Sequence, residues 1–441
     1  MKVRDATVVI GANFGDEGKG LAVDTLVARD PDAAVIRFNG GAQAGHTVVA
    51  EDGRRHVFSH FGSGTFLGAA TFLSRFFVVQ PSIFTREAAD LAAIGVRPVV
   101  FIDPDALVTT PFDVFINRWV EETRGGARHG SVGVGFGETI ERSGLGYQLA
   151  VRDLGDDNHL METVTRIRDE WLPARLARLG VPFSAERQQA AADPAVMRRY
   201  LAHVHILRHH ASPAPIDAVL THRNIVFEGA QGLLLDMDRG FKFPYVTRSN
   251  TGLKNALALA SDAGIEHLDV IYTTRAYLTR HGPGPLLDEV PKLTFADVVD
   301  PTNLQNPWQG ALRFAPLNLD LLRDAIADDL SDAAATRMAV EAGVGVTCID
   351  QIRASADVVI SGVKTTVPAP RLAKEIAAAV RLPLVMKAHG PRRSAVALAN
   401  RSTRRQIGRQ SMLCVPLSAP APHQVRFESR SRWALGPASK P

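Results

Sequence analysis

A β-branched run, Thr7-Val8-Val9-Ile10, leads into the glycine-rich segment Gly11–Gly20 and then into the helix-like stretch Leu21–Val27. This strand, loop and helix constrain the fold more than any other feature. Loop N–H groups and a helix N-terminus would converge where the strand ends, an arrangement suited to anions. Short apolar runs recur at Ala34–Phe38, Phe76–Val79, Val99–Ile102, Asn224–Phe227, Val270–Thr273, Val344–Cys348 and Val358–Ile360, with helical stretches such as Arg86–Ala93 and Leu317–Asp329 between them. The alternation predicts a P-loop-like α/β fold, its mainly parallel central sheet flanked by helices. Leu154–Arg208 is polar, Arg/Ala/Glu-rich and helical in period, and reads as an inserted helical subdomain.

Charge bears on the partner class. The 441 residues carry a net +4, but residues 401–441 hold eight basic residues against one acid, leaving 42 basic against 45 acidic residues in the first 400. The basicity belongs to a Pro-rich tail, residues 416–441, expected to be extended or flexible. The body of the chain therefore does not point to nucleic acid. Two cysteines, Cys348 and Cys414, are too few for a disulfide framework and suit a reducing compartment. Neither a signal-peptide pattern nor an apolar run long enough to span a bilayer is visible, so a soluble cytoplasmic protein is the expectation.

Three segments carry chemistry. Gly15-Asp16-Glu17-Gly18-Lys19-Gly20 is nearly a phosphate loop, with Lys19 as a point charge, but Asn13 and Gly20 stand where a Walker A motif needs Gly and Ser or Thr. Its acidic pair would repel phosphate unless the carboxylates bind Mg²⁺ or handle protons. Phe38–Thr47 follows the second strand with three glycines and His46, the one side chain there able to donate to a developing phosphoryl charge near neutral pH. Phe227-Glu228-Gly229-Ala230-Gln231-Gly232 repeats the arrangement later, followed by Asp236 and by Pro244–Thr251 with its neutral donors. Each segment alone is also compatible with an ordinary turn.

Together they resemble the adenylosuccinate synthetase family, which joins IMP to aspartate using GTP. Gly15–Gly20 matches its GDEGKG loop. Ala44–Thr47 matches its NAGHT segment, with Gln43 replacing Asn, and Phe227–Gly232 with Leu234-Leu235-Asp236 and Pro244–Thr247 matches its FEGAQG region. Arg275–Pro285 resembles the KAYxTRVGxGP segment, Val346–Asp350 the TKLD strand, and Gly390-Pro391 the turn beside the base. The resemblance implies that Asp16 removes the N1 proton of IMP while His46 hydrogen-bonds the phosphoryl group passing from GTP to O6. Lys19 and Gln231 would complete the catalytic set. It further implies GTP contacts at Gly15, Glu17, Gly18, Lys19, Gly20, Thr47, Asp350 and Gly390, with Asp350 reading guanine. IMP contacts would fall at Asn13, Gln43, Ser131, Gln231 and Thr247, amino-acid contact at Arg313, and Mg²⁺ at Asp16 and the Gly45 carbonyl. A cytoplasmic homodimer is implied as well.

The departures are specific. Val132 replaces a Thr expected at nucleotide phosphate, and Cys348 replaces the Lys flanking the guanine-reading Asp. The arginine that crosses the family's dimer interface has Arg142 as its nearest counterpart. The Arg-rich amino-acid loop reads Asn306–Pro316 here and keeps only Arg313, which should weaken aspartate binding or change the amine. Phage relatives acting on dGMP lack a carboxylate at the Asp16 position, so Asp16 argues against that branch. The expected domain layout is a ligase domain over 1–415, with residues 154–208 as its insertion, followed by the tail. The alternatives are a paralogue using another amine or purine nucleotide, and, from a different class, an inactive GTP-binding regulatory protein.

Overall fold

The computed structural model describes residues 5–303 and 310–399. The tail 416–441 and residues 306–309 of the amino-acid loop lie outside the described residues. Ten strands form one sheet in the order Val396–Leu398, Leu384–Ala388, Ala339–Thr347, His267–Arg275, Asp5–Gly11, Asn224–Gly232, Ala33–Arg37, Ala70–Leu73, Val100–Ile102 and Ser212–Pro213. All neighbours pair in parallel except Val396–Leu398, which runs antiparallel to Leu384–Ala388.

Asp5–Gly11 lies inside the sheet, with Val8 opposite Phe227 on one side and Val270 on the other. Its alternate residues serve two cores. Val8 and Ile10 join the cluster holding Phe227, Tyr272, Leu259 and Leu322, while Val9 meets Ala22, Val23, Leu26 and Val27 on the opposite face. Those four belong to the helix Lys19–Arg29, so the glycine loop hangs between a buried strand and a helix packed back onto it. Each such fully buried Val or Leu contributes roughly 1.5–3 kcal/mol. The loop is thus tethered at both ends by packing.

Two expected strands differ. Phe76–Val79 is not a ladder strand: Ala70–Leu73 takes that place, and the chain then turns, with Phe77 N–H bonding the Ser74 carbonyl and Val78 N–H that of Gly40. The apolar signal of Phe77 and Val79 comes from burial in a separate cluster. Val358–Ile360 does form a strand, within Ser355–Ile360, but in a three-stranded sheet with Leu317–Asn318 and Val363–Pro368. The helix expected from Leu317 starts at Leu319, where the Asn318 side chain accepts from Leu321 N–H at 2.9 Å.

Between 154 and 210 the chain forms the helices Asp157–Arg166, Leu172–Arg178, Ala185–Ala192 and Pro194–His210. Their buried Leu160, Leu176 and Val204, with Trp171 from the turn Ile167–Trp171 between the first two, share one apolar cluster with Phe84, Phe112 and Ile116 from outside the segment. Among the described residues no helix is long and apolar enough to cross a membrane. Parallel strands bring the ends Gly11, Gly232, Arg275 and Thr347 to one edge of the sheet, and the loops leaving them surround a cavity of about 1140 Å³.

Candidate active site

The first glycine loop is organised from within by Glu17. Its carboxylate accepts from the backbone N–H of Asn13 at 3.0 Å and of Gly15 at 2.7 Å, and from Lys19 Nζ at 2.8 Å, with both side chains buried. Gly18, at φ 82°, makes the left-handed turn into the helix, and no side chain caps the first helical turn. A Cβ on Gly20 would come within 3.0 Å of the Thr47 carbonyl oxygen, so that glycine lets the second loop close over the first. Gly15, Asp16, Gly18, Lys19 and Gly20 all line the cavity. A helix start without a side-chain cap, beside a lysine and lining a cavity, is an arrangement that suits an anion.

Asp16 also sits in the left-handed region, at φ 64°, with its side chain 25% exposed. Its Oδ2 lies 3.2 Å from His281 Nε2, and its backbone carbonyl accepts from Arg275 Nε. Burial pushes the Asp16 carboxyl up, but the His281 hydrogen bond and the charges of Arg275, His281 and Lys19 outweigh it and hold the group below the usual carboxylate value. Burial would lower the His281 imidazole, yet Asp16, Asn303 and Asp300 raise it above its ordinary value. The Asp16 carboxylate is therefore ionised at neutral pH.

The second loop presents His46, whose Nδ1 lies 2.6 Å from Glu228 Oε1. Glu228 is fully buried and also accepts from Ser63 N–H at 3.0 Å and from the Ser63 hydroxyl. Burial drives the imidazole down to about 4, with Glu228 opposing and Arg37 and Lys19 adding to the shift. Burial raises the Glu228 carboxyl, but His46, Arg37 and Ser63 bring it to about 2. A neutral His46 donating from Nδ1 to this carboxylate has a lone pair, not a proton, on Nε2. His46 becomes a donor toward the cavity only when doubly protonated, and an adjoining phosphoryl anion together with Glu228 favours that state.

Several buried polar atoms have no partner among the described residues: both Gln43 amide atoms, His46 Nε2, Gln231 Oε1 and His281 Nδ1. All four residues line the cavity. Buried polar groups are rarely left unpaired, and these atoms are available to a polar ligand entering the cavity. Gln231 in addition holds φ 62°, strain of the kind stored at ligand sites.

Of the residues singled out from the sequence, Gly45, Thr47, Ser131, Thr247, Asp350 and Gly390 also line the cavity. Thr47 Oγ1 lies 3.0 Å from Thr302 Oγ1, and Ser131 Oγ accepts from Asn117 Nδ2 at 2.7 Å. Asn13, Glu17 and Arg313 do not line it. Asn13 Nδ2 donates to Thr274 Oγ1 at 2.8 Å and Glu17 is consumed by the loop backbone, so both shape the loop from beneath. Arg313 spends its guanidinium on both oxygens of Glu289 and on the Gly282 and Gly284 carbonyls. Arg142 is fully buried against Asp113 at 2.8 Å and the Val108 carbonyl at 2.9 Å, a core ion pair with no surface to offer a partner subunit.

Sequence reasoning passed over Glu228, Arg275 and His281. The signal for Glu228 was a lone acid in the middle of the buried strand Asn224–Gly232, directly after the apolar run Ile225–Phe227, a position that demands a charged or hydrogen-bonded partner. Arg275, the last residue of its strand, and His281 lie in the segment that resembles the family's KAYxTRVGxGP stretch, where His281 departs from its valine, but nothing in that pattern placed either side chain beside Asp16.

The family model described as adenylosuccinate synthetase matches residues 8–302, well over half of the chain. Adenylosuccinate synthetase of Cyanothece sp. is 34% identical over 296 residues, which is 64% of this chain and 62% of that protein. The enzyme of Thermosynechococcus vestitus is 34% identical over 302 residues, covering 65% and 64%. The matched region thus spans under two thirds of these relatives' length. Among solved structures, fully ligated adenylosuccinate synthetase from Plasmodium falciparum superposes with a TM-score of 0.70 at 17% identity, covering 90% of this chain and 100% of that one. Cyanophage S-2L succinoaminodeoxyadenylate synthetase, bound to dGMP and dATP, gives 0.55 at 17% identity over 93% and 100%. Both structures share the fold, and the sequence match places the kinship: the chain belongs to the adenylosuccinate synthetase family.

Proposed function

We propose that the chain is a GTP-dependent carbon–nitrogen ligase that converts IMP, L-aspartate and GTP to adenylosuccinate, GDP and phosphate. The observation that carries this reading is the convergence of Asp16, Lys19, His46 and Gln231 on one cavity, with a carboxylate base and a carboxylate-backed histidine on adjoining glycine loops.

In this reading Asp16 takes the N1 proton of IMP, and O6 attacks the γ-phosphorus of GTP, breaking its bond to the β–γ bridging oxygen so that GDP leaves. Lys19 and the uncapped start of Lys19–Arg29 hold the phosphates, while the His46–Glu228 pair meets the charge of the moving phosphoryl group. The aspartate amine then attacks C6, inorganic phosphate leaves, and the amine loses a proton. Asp350, lining the cavity just after the strand end Thr347, suits guanine N–H donors that adenine lacks. Gln43 and Gln231, with unpaired amide atoms, suit the hypoxanthine edge, and Ser131 and Thr247 the nucleotide phosphate. The donor set fits Mg²⁺, since Asp16 offers a cavity-lining carboxylate and Gly45 a backbone carbonyl, hard oxygens that would hold the ion beside the phosphates, where it would neutralise their charge. Family membership also supports a homodimer, and the low cysteine content suits a reducing cytoplasm.

A second reading, the same chemistry with an amine lacking the second carboxylate, is favoured by the engagement of Arg313 with Glu289. Phosphate release from GTP in the presence of IMP and a panel of amines separates the two. The expected result is release dependent on aspartate. Release only with another amine establishes the second reading, and none with any amine, while GTP still binds, makes the chain an inert nucleotide binder.

A further inference from the structure

His281 stands where the family segment quoted above carries valine, and its ring touches the proposed base. Around that contact the side chains close a ring of hydrogen bonds. His281 Nε2 is 3.2 Å from Asp16 Oδ2 and 3.1 Å from Asn303 Oδ1. Asn303 Nδ2 donates to Asp300 Oδ2 at 2.8 Å, the same oxygen that accepts from Arg275 Nη2 at 2.9 Å, and Arg275 Nε returns to the Asp16 carbonyl.

The ring fixes its own proton positions. Asn303 must turn its NH₂ toward the Asp300 carboxylate, which leaves its amide oxygen, an acceptor only, facing His281. Nε2 of His281 therefore carries a proton, which it shares between Asn303 and Asp16. One oxygen of Asp16 is thereby pinned, and the other remains for a substrate proton. The backbone at Asp16 is left-handed, so side-chain support of this kind has a purpose that the loop's own geometry does not serve.

The ring also reaches the second glycine loop. Asp300 Oδ1 accepts from the backbone N–H of Thr302 at 3.1 Å and of Asn303 at 3.0 Å, and Thr302 Oγ1 is 3.0 Å from Thr47 Oγ1. The short segment Asp300–Asn303 thus touches both sides of the proposed phosphoryl-transfer site.

We infer that His281 is a positioning residue for Asp16, and that through Asn303 it makes the orientation of the base depend on the segment Asp300–Asn303. The inference rests on the ligase reading above, because it assigns Asp16 the proton-abstracting role. Its energetic content is geometric: misplacing a reacting group by about an ångström costs on the order of 100-fold in rate.

The test is a double-mutant cycle over His281→Val and Asn303→Ala, with His281→Gln as the conservative variant and Asp16→Asn as control. His281→Val is expected to lower kcat on the order of 100-fold, with the KM values for GTP and IMP changed by less than about threefold. His281→Gln, which retains an N–H donor, should recover part of the loss. The double variant should be no worse than His281→Val alone, since both remove one linkage. A crystal structure of the His281→Val protein should show the Asp16 carboxylate turned away from its wild-type position. Wild-type kcat in His281→Val, fully additive losses, or an unmoved carboxylate would each overturn the inference. Wild-type turnover in Asp16→Asn would instead overturn the ligase reading itself, and the crystal comparison reads the positioning role whichever amine the enzyme uses.

Discussion

At the scale of the residue, the proposed chemistry draws on paired side chains, His46 with Glu228 and Asp16 with His281. His46 without Glu228 would be a neutral buried imidazole with no counter-charge for its protonated form. Replacing Glu228 by Gln keeps the shape and removes the charge, so kcat should fall on the order of 100-fold, the scale of general acid–base and oxyanion contributions. GTP affinity measured by calorimetry should change little, and an unchanged kcat would refute the pairing. His46 was singled out in the sequence because it closes a second glycine-rich loop after a strand and falls in a segment that matches the family, not because a lone histidine is distinctive. Glu228 was not, because its partner lies 182 residues away and only folding brings the two together. Arg313 shows the other side of the same limit. It was singled out as the remaining arginine of its loop, but the sequence could not disclose that Glu289 and two backbone carbonyls engage it.

At the scale of the element, strands inside the parallel sheet were legible because both faces are buried and nearly every residue must be apolar, as in Ala33–Arg37. Ala70–Leu73 was hidden by the small residues Gly68-Ala69-Ala70 that lead into it, while Phe76–Val79 mimicked a strand by burying aromatic side chains without a continuous ladder. Tertiary contacts also hold elements in ways that no local pattern encodes. Helix Leu253–Asp262 begins against Asp329, which accepts from Leu253 N–H at 2.9 Å and from the Tyr272 hydroxyl at 2.7 Å. Gly252 leaves the room, since a Cβ there would lie 1.7 Å from Asp329 Oδ1.

Burial raises the Asp329 carboxyl to about 7, the Tyr272 and Leu253 hydrogen bonds opposing and Asp332 and Asp236 adding to it. The folded state therefore binds a proton that the unfolded state has already lost between the ordinary carboxylate range and about pH 7. That contribution is complete at low pH and is lost as pH rises toward 7. The stability of the wild type relative to Asp329→Asn should thus decline from pH 5 to 7, by at most about 1.4 kcal/mol per pH unit. Denaturant titrations of both proteins across that interval measure the difference, and a constant difference would contradict the assignment.

At the scale of the whole molecule, the fold was the most legible feature. Glycine loops after successive parallel strands must open at the same edge, and the cavity of about 1140 Å³ lies there. The net charge of the chain had little to do with it. Residues 1–400 carry slightly more acid than base, and in the proposed reading anion recognition rests on a helix start and a few placed cations. The central claim is that the GTP phosphoryl group passes through O6 of the nucleotide. IMP labelled with heavy oxygen at C6, incubated with GTP, Mg²⁺ and aspartate, tests it most directly by mass analysis of the products. The account predicts that the heavy oxygen leaves the purine and appears in the released phosphate, and that Asp16→Asn stops the transfer. Label retained on the nucleotide while phosphate is released would contradict it.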